Sequence, residues 1–418
     1  MSKLNKNSKK VCLLSDHHIC INPRLWKEAF FYEKLGFEVV VLTMFQSQIF
    51  LEKDKQIISG HSIKYVAYLN IIPGANSTLV NYFYRIRKRL SSEWHRFFKI
   101  GLAWSISHAP EKMYKDAIQQ SADLYVAHLE CAFYVGRKLA KAGKKVAFDF
   151  EDWYSRDYLV PERPVKLLQS LEESAILNGL FITASSRSMA DKLKKEYSSN
   201  RSIETIYNGF SISENFNQLD FVNNSTEKNT FKIIWFSRTV GPNRGIENLV
   251  EALKHCKVQC ELHLLGILVD GFDQILYKHI SDTGKYSLHF HQFIPHSELL
   301  KFLYTFDLGL ALDLKINDNR NLTVTNKIMQ YIQARLPILC SDTSGHLEVA
   351  SYFLNTIHPV NIEDEFEVAK KIDFLSNNRK SYSKEDMLRF KEIFSWEAQE
   401  KKLNNLINIT LSDDKIPH

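Results

Sequence analysis

Short continuous apolar runs alternate along the chain with longer stretches whose apolar residues return every three or four positions. KVCLLS (10–15) and FEVVVLT (37–43) are of the first kind and predict buried strands. Between them, residues 24–35 set Leu25, Ala29, Phe30 and Leu35 on one side and stop at Gly36, which predicts a helix. Strand, helix and strand at this length make a βαβ unit. Such units build a parallel sheet whose ligands lie beyond the strand C-termini. The alternation resumes with strands at 123–127, 145–150, 179–184 and 202–207 and helices at 131–142, 165–177 and 187–197. Asn208-Gly209 reads as a turn, and the polar, aperiodic residues 211–230 as a linker. A second series follows, with strands at 231–236, 260–265, 287–290, 307–312 and 356–359 and helices at 245–256, 272–280, 297–304 and from 363 onward. The expected fold is α/β: two doubly wound, Rossmann-like domains facing each other across a cleft. The predicted divisions are a first domain at 1–210, the linker 211–230, a second domain at 231–390 and a C-terminal helix at 391–418.

Two stretches of the second series suit an anion. In 317–349 (NDNRNLTVTNKIMQYIQARLPILCSDTSGHLEV), residues 317–325 have no apolar period and predict a loop. Thr325 is placed to cap a helix carrying Ile328, Met329 and Ile332 on one stripe, and Pro337 ends it before a buried strand, Pro337–Cys340. A polar loop entering a helix presents free N–H groups and the positive end of the dipole. Lys327 in the first turn opposes that dipole, so a negative ligand explains it better than helix stability; an ordinary loop with a solvated lysine is the other reading. Ser237–Gly245 (SRTVGPNRG) leads from a predicted strand into a helix. Gly241 and Pro242 make a turn there, Gly245 permits close backbone approach, and Arg238 and Arg244 flank the helix start as a phosphate cradle would require. Two surface arginines at a turn are the alternative. Neither a Walker A loop nor a G-x-G-x-x-G fingerprint occurs.

Composition and charge narrow the class. At 418 residues, 44% apolar and 24% charged, the chain suits two globular domains of about 200 residues each. No window reaches the roughly 18 apolar residues of a membrane span, and Met1–Lys10 lacks the apolar core of a signal peptide. Six scattered cysteines, with only Cys256 and Cys260 close together, point to reduced cytosol and to no zinc site. Residues 1–210 carry 31 basic against 21 acidic side chains, the remainder 23 against 27, so the basic first half favours an acidic partner. No nucleic-acid-binding module is visible. Residues 81–104 interleave Arg85, Arg87, Lys88, Arg89, Arg96 and Lys99 with seven aromatic side chains. That pattern suits a helix lying on an anionic membrane surface, or one packing its aromatics on the domain with a solvated basic face.

In the first half, His128 stands where a strand ends, on the same sheet edge as Asp16 and Asp149. Three polar residues converging there mark candidate chemistry. Asp149, Glu151 and Asp152 are either paired carboxylates for acid–base work, metal ligands, or an exposed acidic loop; the period-2 spacing puts Asp149 and Glu151 on one side.

Together, WFSRTVGPNRGIENLVEAL (235–253), LHFHQFIPHSELLKFLYTFDLGLAL (288–312) and NLTVTNKIMQYIQARLPILCSDTSGHLEV (321–349) resemble family 4 retaining glycosyltransferases of the GT-B fold. VVLT, DLYVAH, KVAFDFEDWYS, ITASSRSMADKL and IETIYNGF fall where that family has corresponding segments, and FSWEAQEKKL resembles its closing segment, in which the last helix returns toward the first domain. The resemblance spans nearly the whole chain, its specificity lying in the order of the blocks. It implies sugar transfer from a nucleotide diphosphate with retention, without cofactor or bound metal. Arg238 and Arg244 match the basic pair on the diphosphate, Thr325, Asn326 and Lys327 the helix start beside it, and His128 the histidine near the transferred sugar. Phe293 falls where the base is held through the backbone. Where members carry Glu-x7-Glu, this chain has Leu322 and Gln330, the latter placed on the donor ribose. Arg335 replaces a helix-ending glycine. The expected protein is a cytoplasmic enzyme, peripheral on the inner membrane face, acting on a glycan or lipid-linked acceptor in cell-surface polysaccharide or lipopolysaccharide synthesis. The alternative is a nucleotide-sugar-binding GT-B protein without turnover.

Overall fold

The structure, a computed structural model, describes residues 8–75, 78–157, 163–212, 230–279, 286–292, 294, 296–378 and 382–411. The chain divides into two compact units. One runs to Ile206 and takes up the chain again at Lys402; the other spans Tyr207–Lys401. The boundary at Ile206 precedes the expected linker, of which residues 213–229 lie outside the described residues.

The first unit is built on a parallel sheet of β1 (Lys10–Leu14), β2 (Glu38–Phe45), β3 (Lys64–Asn70), β4 (Leu124–His128), β5 (Val146–Phe150), β6 (Ile182–Ala184) and β7 (Glu204–Thr205). Their spatial order is β3-β2-β1-β4-β5-β6-β7, so the winding reverses between β1 and β4. Val11, Cys12, Leu13 and Leu14 are all fully buried, because helices cover both faces of the sheet; a continuous apolar run is what such a strand needs. The helix after β1 spans Pro23–Lys34, with Pro23 in its first turn and the Asn22 side chain accepting from the Leu25 N–H. The last helix, Trp396–Leu411, enters this unit at Lys402, whose Nζ donates to the Thr205 carbonyl of the edge strand β7 at 2.8 Å.

The second unit carries β8 (Phe231–Val240), β9 (Cys260–Leu268), β10 (Tyr286–His291), β11 (Leu308–Ala311), β12 (Ile338–Ser341) and β13 (Ile357–Val360), all parallel, in the order β10-β9-β8-β11-β12-β13. The reversal lies between β8 and β11. Side chains alternate across the sheet as the pleat demands. Ile233, Trp235, Leu262 and Leu310 join the core under the helices Ile246–Leu253 and Glu365–Asn377, while Ile234, Phe236 and Ala311 join the core under Asn326–Gln333.

Several expectations change. The helix Gln48–Ile57 and strand β3 had no prediction. β8 continues past Phe236 through the polar Ser237, Arg238 and Thr239, with a register shift between Phe236 and Thr239, so Arg238 belongs to a strand and not to a turn. Residues 318–322 form a short helix where a loop was expected. The Asn317 side chain caps it, accepting from the Arg320 N–H at 2.8 Å, so a local cap replaces the missing apolar period. No turn forms at Asn208-Gly209. Gly209 is there for space: a Cβ would come within 1.8 Å of the Phe394 carbonyl oxygen. Residues 81–104 become two helices, Thr78–Phe98 and Ala103–Ile106.

Candidate functional site

The two units each bring a polar cluster to the C-terminal edge of their sheet. In the first, β4 and β5 are paired so that His128 is opposite Asp149, and β6 places Thr183 opposite Asp149. His128 is fully buried. Its Nδ1 stands 3.0 Å from Glu151 and 3.3 Å from Asp149, and its Nε2 3.5 Å from Glu28. Arg24, at the start of the helix after β1, is 2% exposed and binds three acceptors: Glu28 at 2.9 Å, Asp149 at 2.9 Å and the Ile206 carbonyl at 2.5 Å. Thr183 Oγ1 donates to Asp149 at 2.6 Å, and Asn22 Nδ2 to Glu151 at 2.8 Å.

Charge explains the protonation states. Burial alone would push His128 down, but the Glu28, Asp149 and Glu151 carboxylates outweigh it and hold the imidazole well above its ordinary value, as imidazolium. Burial would likewise raise Asp149; Arg24, His128 and Thr183 hold it instead at about 2. Glu28, His128 and Asp149 have the spacing of a metal-ligand set. Arg24 already supplies a positive charge to two of the three, Glu28 and Asp149, each at 2.9 Å. Leu129, the residue after His128, has φ +71°, a strained backbone for a branched side chain directly beside the cluster.

Asp16, less than a tenth exposed, stands apart from this network; its carboxylate acts on His108, Glu130 and Cys131. The loop it begins is fixed by His18. Two backbone N–H groups, of Gln46 and Ser47, donate to His18 Nε2, so Nδ1 carries the proton and donates to Asp54 at 2.5 Å.

In the second unit, the cluster lies where β8 and β11 end. Arg244 sits between Asn243 (φ +61°) and Gly245 (φ +77°), on a tight turn, and donates to Ser237 Oγ at 3.2 Å. Arg320 reaches the same turn, donating to the Asn243 carbonyl at 2.9 Å. Lys327 is buried in the first turn of its helix, 5.3 Å from the centroid of the Trp235 ring. Lys327 Nζ and His346 Nε2 both stand 3.7 Å from Asp313 Oδ2, an oxygen that is buried without a hydrogen bond. Burial pushes the Lys327 ammonium down, Asp313 opposes this, and Arg244 and Arg320 push it further down. Arg244 is lowered by burial and then by Arg320, with Asp313 opposing and Arg238 adding to the shift. Arg244 and Lys327 thus share one carboxylate, and the charge of Arg320 acts against both. A bound dianion relieves that repulsion, and a diphosphate has the size and charge to do so.

Thr325 is at the N-cap of the helix Asn326–Gln333 but makes no side-chain cap; its Oγ1 is instead 3.1 Å from His346 Nε2, which competes for the hydroxyl. Asn326 is exposed, Gln330 is buried on the same helix, and Leu322 is 3% exposed. Arg335, two residues past that helix, has φ +53°, the left-handed conformation that a helix-ending glycine commonly takes. Phe293 lies outside the described residues. Sequence reasoning missed Arg24 and Glu28, which look like surface charges on an amphipathic helix, and Arg320, Asp313 and His346. Arg320 had a signal, being the lone cation of the polar stretch 317–325, seven residues before Lys327. A second ligand-like set, Glu261, His263 and His289, is already engaged: Lys232 Nζ is 3.5 Å from Glu261, and both His263 nitrogens have partners.

No protein-family model matches the chain, and no curated protein sequence does either. Solved structures do. Anabaena HepE in complex with UDP has 16% identity and a TM-score of 0.65, over 97% of this chain and 100% of that one. The same protein has been solved with UDP-glucose. A glycosyltransferase from Rickettsia africae has 13% identity and a TM-score of 0.63, over 97% and 100%. An E. coli trehalose-6-phosphate protein bound with UDP-2-fluoro glucose has 13% identity and a TM-score of 0.56, over 97% and 96%. The identity is low and the coverage nearly complete, so the likeness is one of fold: two doubly wound α/β domains in one chain, of the GT-B type.

Proposed function

We propose that the chain is a glycosyltransferase that moves a sugar from a nucleotide-diphosphate sugar to a glycan or lipid-linked acceptor. In this reading transfer proceeds with retention and without a bound metal ion, in cell-surface polysaccharide or lipopolysaccharide synthesis at the cytoplasmic face of the membrane. The observation that carries it is the gathering of Arg244 and Lys327 at Asp313, with Arg320 on the same turn as Arg244. When the sugar–phosphate bond breaks, negative charge grows on the departing diphosphate, and fixed cations in a partly buried site favour that charge more than the ground state. The nucleotide-sugar ligands of structurally similar proteins support the choice of donor.

Within this reading, Thr325 and Asn326 supply N–H groups beside the phosphates, Gln330 a hydrogen bond to the donor ribose, and Phe293 a backbone contact to the base. Asp16, Asp149 and Glu151 form the acceptor side, and His128, Arg238 and Arg244 are the catalytic residues. His128, with Nδ1 turned to two carboxylates, acts there as a fixed positive charge held in one orientation. The second reading, a nucleotide-sugar binder without turnover, is favoured by one observation: Leu322 is buried and apolar where the family places a carboxylate. Incubation with a panel of UDP-, GDP- and ADP-sugars, with release of nucleoside diphosphate and glycosylated product followed by mass spectrometry, separates the two. Product from any donor supports transfer; tight binding with neither transfer nor hydrolysis across the panel supports the binder.

A further inference from the structure

The helix Thr78–Phe98 is inside out. Its protein-facing side is polar, with Asn81, Ser91 and His95 only 4–9% exposed. The opposite side carries Leu79, Phe83, Ile86, Leu90, Trp94 and Phe97, at the three- and four-residue steps of a single stripe, each 46–82% exposed. The stripe spans residues 79–97, eighteen rises of about 1.5 Å, so it runs about 27 Å along the surface. A water-facing helix of a globular unit shows the reverse arrangement, and a contiguous exposed apolar strip of this length marks a surface that something covers.

The flanks say what covers it. Arg85, Arg89, Arg96 and Lys99 are exposed beside the stripe, against one acidic residue, Glu93. Two copies packed stripe to stripe would bring these like charges together, whereas an anionic lipid surface complements them. The aromatic share of the stripe suits the headgroup boundary, where flat amphipathic rings settle. Among the described residues no helix is long and apolar enough to cross a membrane, so the helix lies on the surface and does not span it. The helix is also held rigidly at its middle and end. Arg87 donates to the His108 carbonyl at 2.8 Å and stacks 4.2 Å from the Trp104 ring, and His95 Nε2 meets the Arg163 carbonyl at 3.1 Å.

We infer that the outward stripe of the Thr78–Phe98 helix, with its arginine flanks, is a docking surface for an anionic membrane. This deepens the proposed function by naming the surface on which a membrane-held acceptor is met, and it rests on that reading for its purpose alone. Vesicle binding is measured without donor or turnover, so its failure leaves the donor assignment standing, and the failure of transfer leaves docking standing.

The test is co-sedimentation of the full chain with vesicles of phosphatidylcholine alone and with phosphatidylglycerol added. Binding is expected with phosphatidylglycerol only and should weaken as salt rises. Arg85→Ser with Arg89→Ser should weaken it about 30-fold, and Leu90→Ser with Phe97→Ser by roughly 100-fold. All four side chains are exposed, so both variants should keep the wild-type melting temperature. Equal binding to both vesicle types, or variants that bind as the wild type does, overturns the inference. So does light scattering that shows a dimer which Leu90→Ser with Phe97→Ser dissociates while no lipid is bound, since the stripe then belongs to a second copy.

Discussion

Replacing Arg24 with leucine removes the cation on which the buried network of the first unit depends. In the native unit, Arg24 and the imidazolium of His128 face the Glu28, Asp149 and Glu151 carboxylates, two charges against three. Without the guanidinium, Glu28 and Asp149 keep one cation between them at 1–2% exposure, and the Ile206 carbonyl loses its donor. Breaking a buried ion pair on one side costs about 3–5 kcal/mol, because the stranded charge stays buried. For a unit of roughly 200 residues that is a drop of about 6–20 °C in melting temperature. Hydrogen exchange read by mass spectrometry is the suitable assay, since it assigns the loss to peptides of residues 8–206. The network also sets a pH window. His128, held above its ordinary value near 6.5, contributes fully below about pH 6.5, and its contribution is lost as the pH rises through the raised value. Asp149, held at about 2, contributes fully above about pH 4 and is lost as the pH falls toward 2. Arg24→Leu should remove stability within that window. A loss below about 1 kcal/mol, or one spread equally over both units, would refute the reasoning.

Three further outcomes follow from local geometry. Arg335→Gly relieves a left-handed conformation and should stabilise the second unit by about 1 kcal/mol, read as a rise in its urea midpoint. Gly209→Ala should destabilise the same unit by more than roughly 2 kcal/mol, because the added methyl meets the Phe394 carbonyl backbone and neither strand of chain can yield cheaply. EDTA should leave sugar transfer unchanged, since side-chain cations supply the charge that a divalent ion would; loss of turnover restored by added magnesium would contradict this.

Much of the fold is legible in the sequence because a strand buried on both faces has no choice but to be apolar throughout. KVCLL, VVVL and ILCS announce themselves in that way. The sheet edge of His128 and Asp149 is legible too, since each polar residue sits where its apolar run gives out and parallel strands align those ends. Arg24 and Glu28 are not legible: nothing in a helical pattern distinguishes a charge that faces water from one neutralised by residues more than 100 positions away. Arg238 was misplaced because strand β8 carries polar residues past its buried half, where periodicity has nothing left to report. The helix Thr78–Phe98 is the sharpest case. Its amphipathic period is plain in the sequence, but a period does not say which side turns inward, and here the polar side does.

The central claim is that guanidinium and ammonium groups of the second unit hold the two linked phosphates of a nucleotide donor. Calorimetric titration with UDP, GDP and ADP, each beside its parent nucleoside, tests it on the wild type and on Arg244→Ala, Arg320→Ala and Lys327→Met. One diphosphate should bind, each substitution should weaken it by about 10- to 150-fold as expected for a hydrogen bond to a charged group, and affinity for the parent nucleoside should not change. Variants that bind the diphosphate as tightly as the wild type would contradict the account.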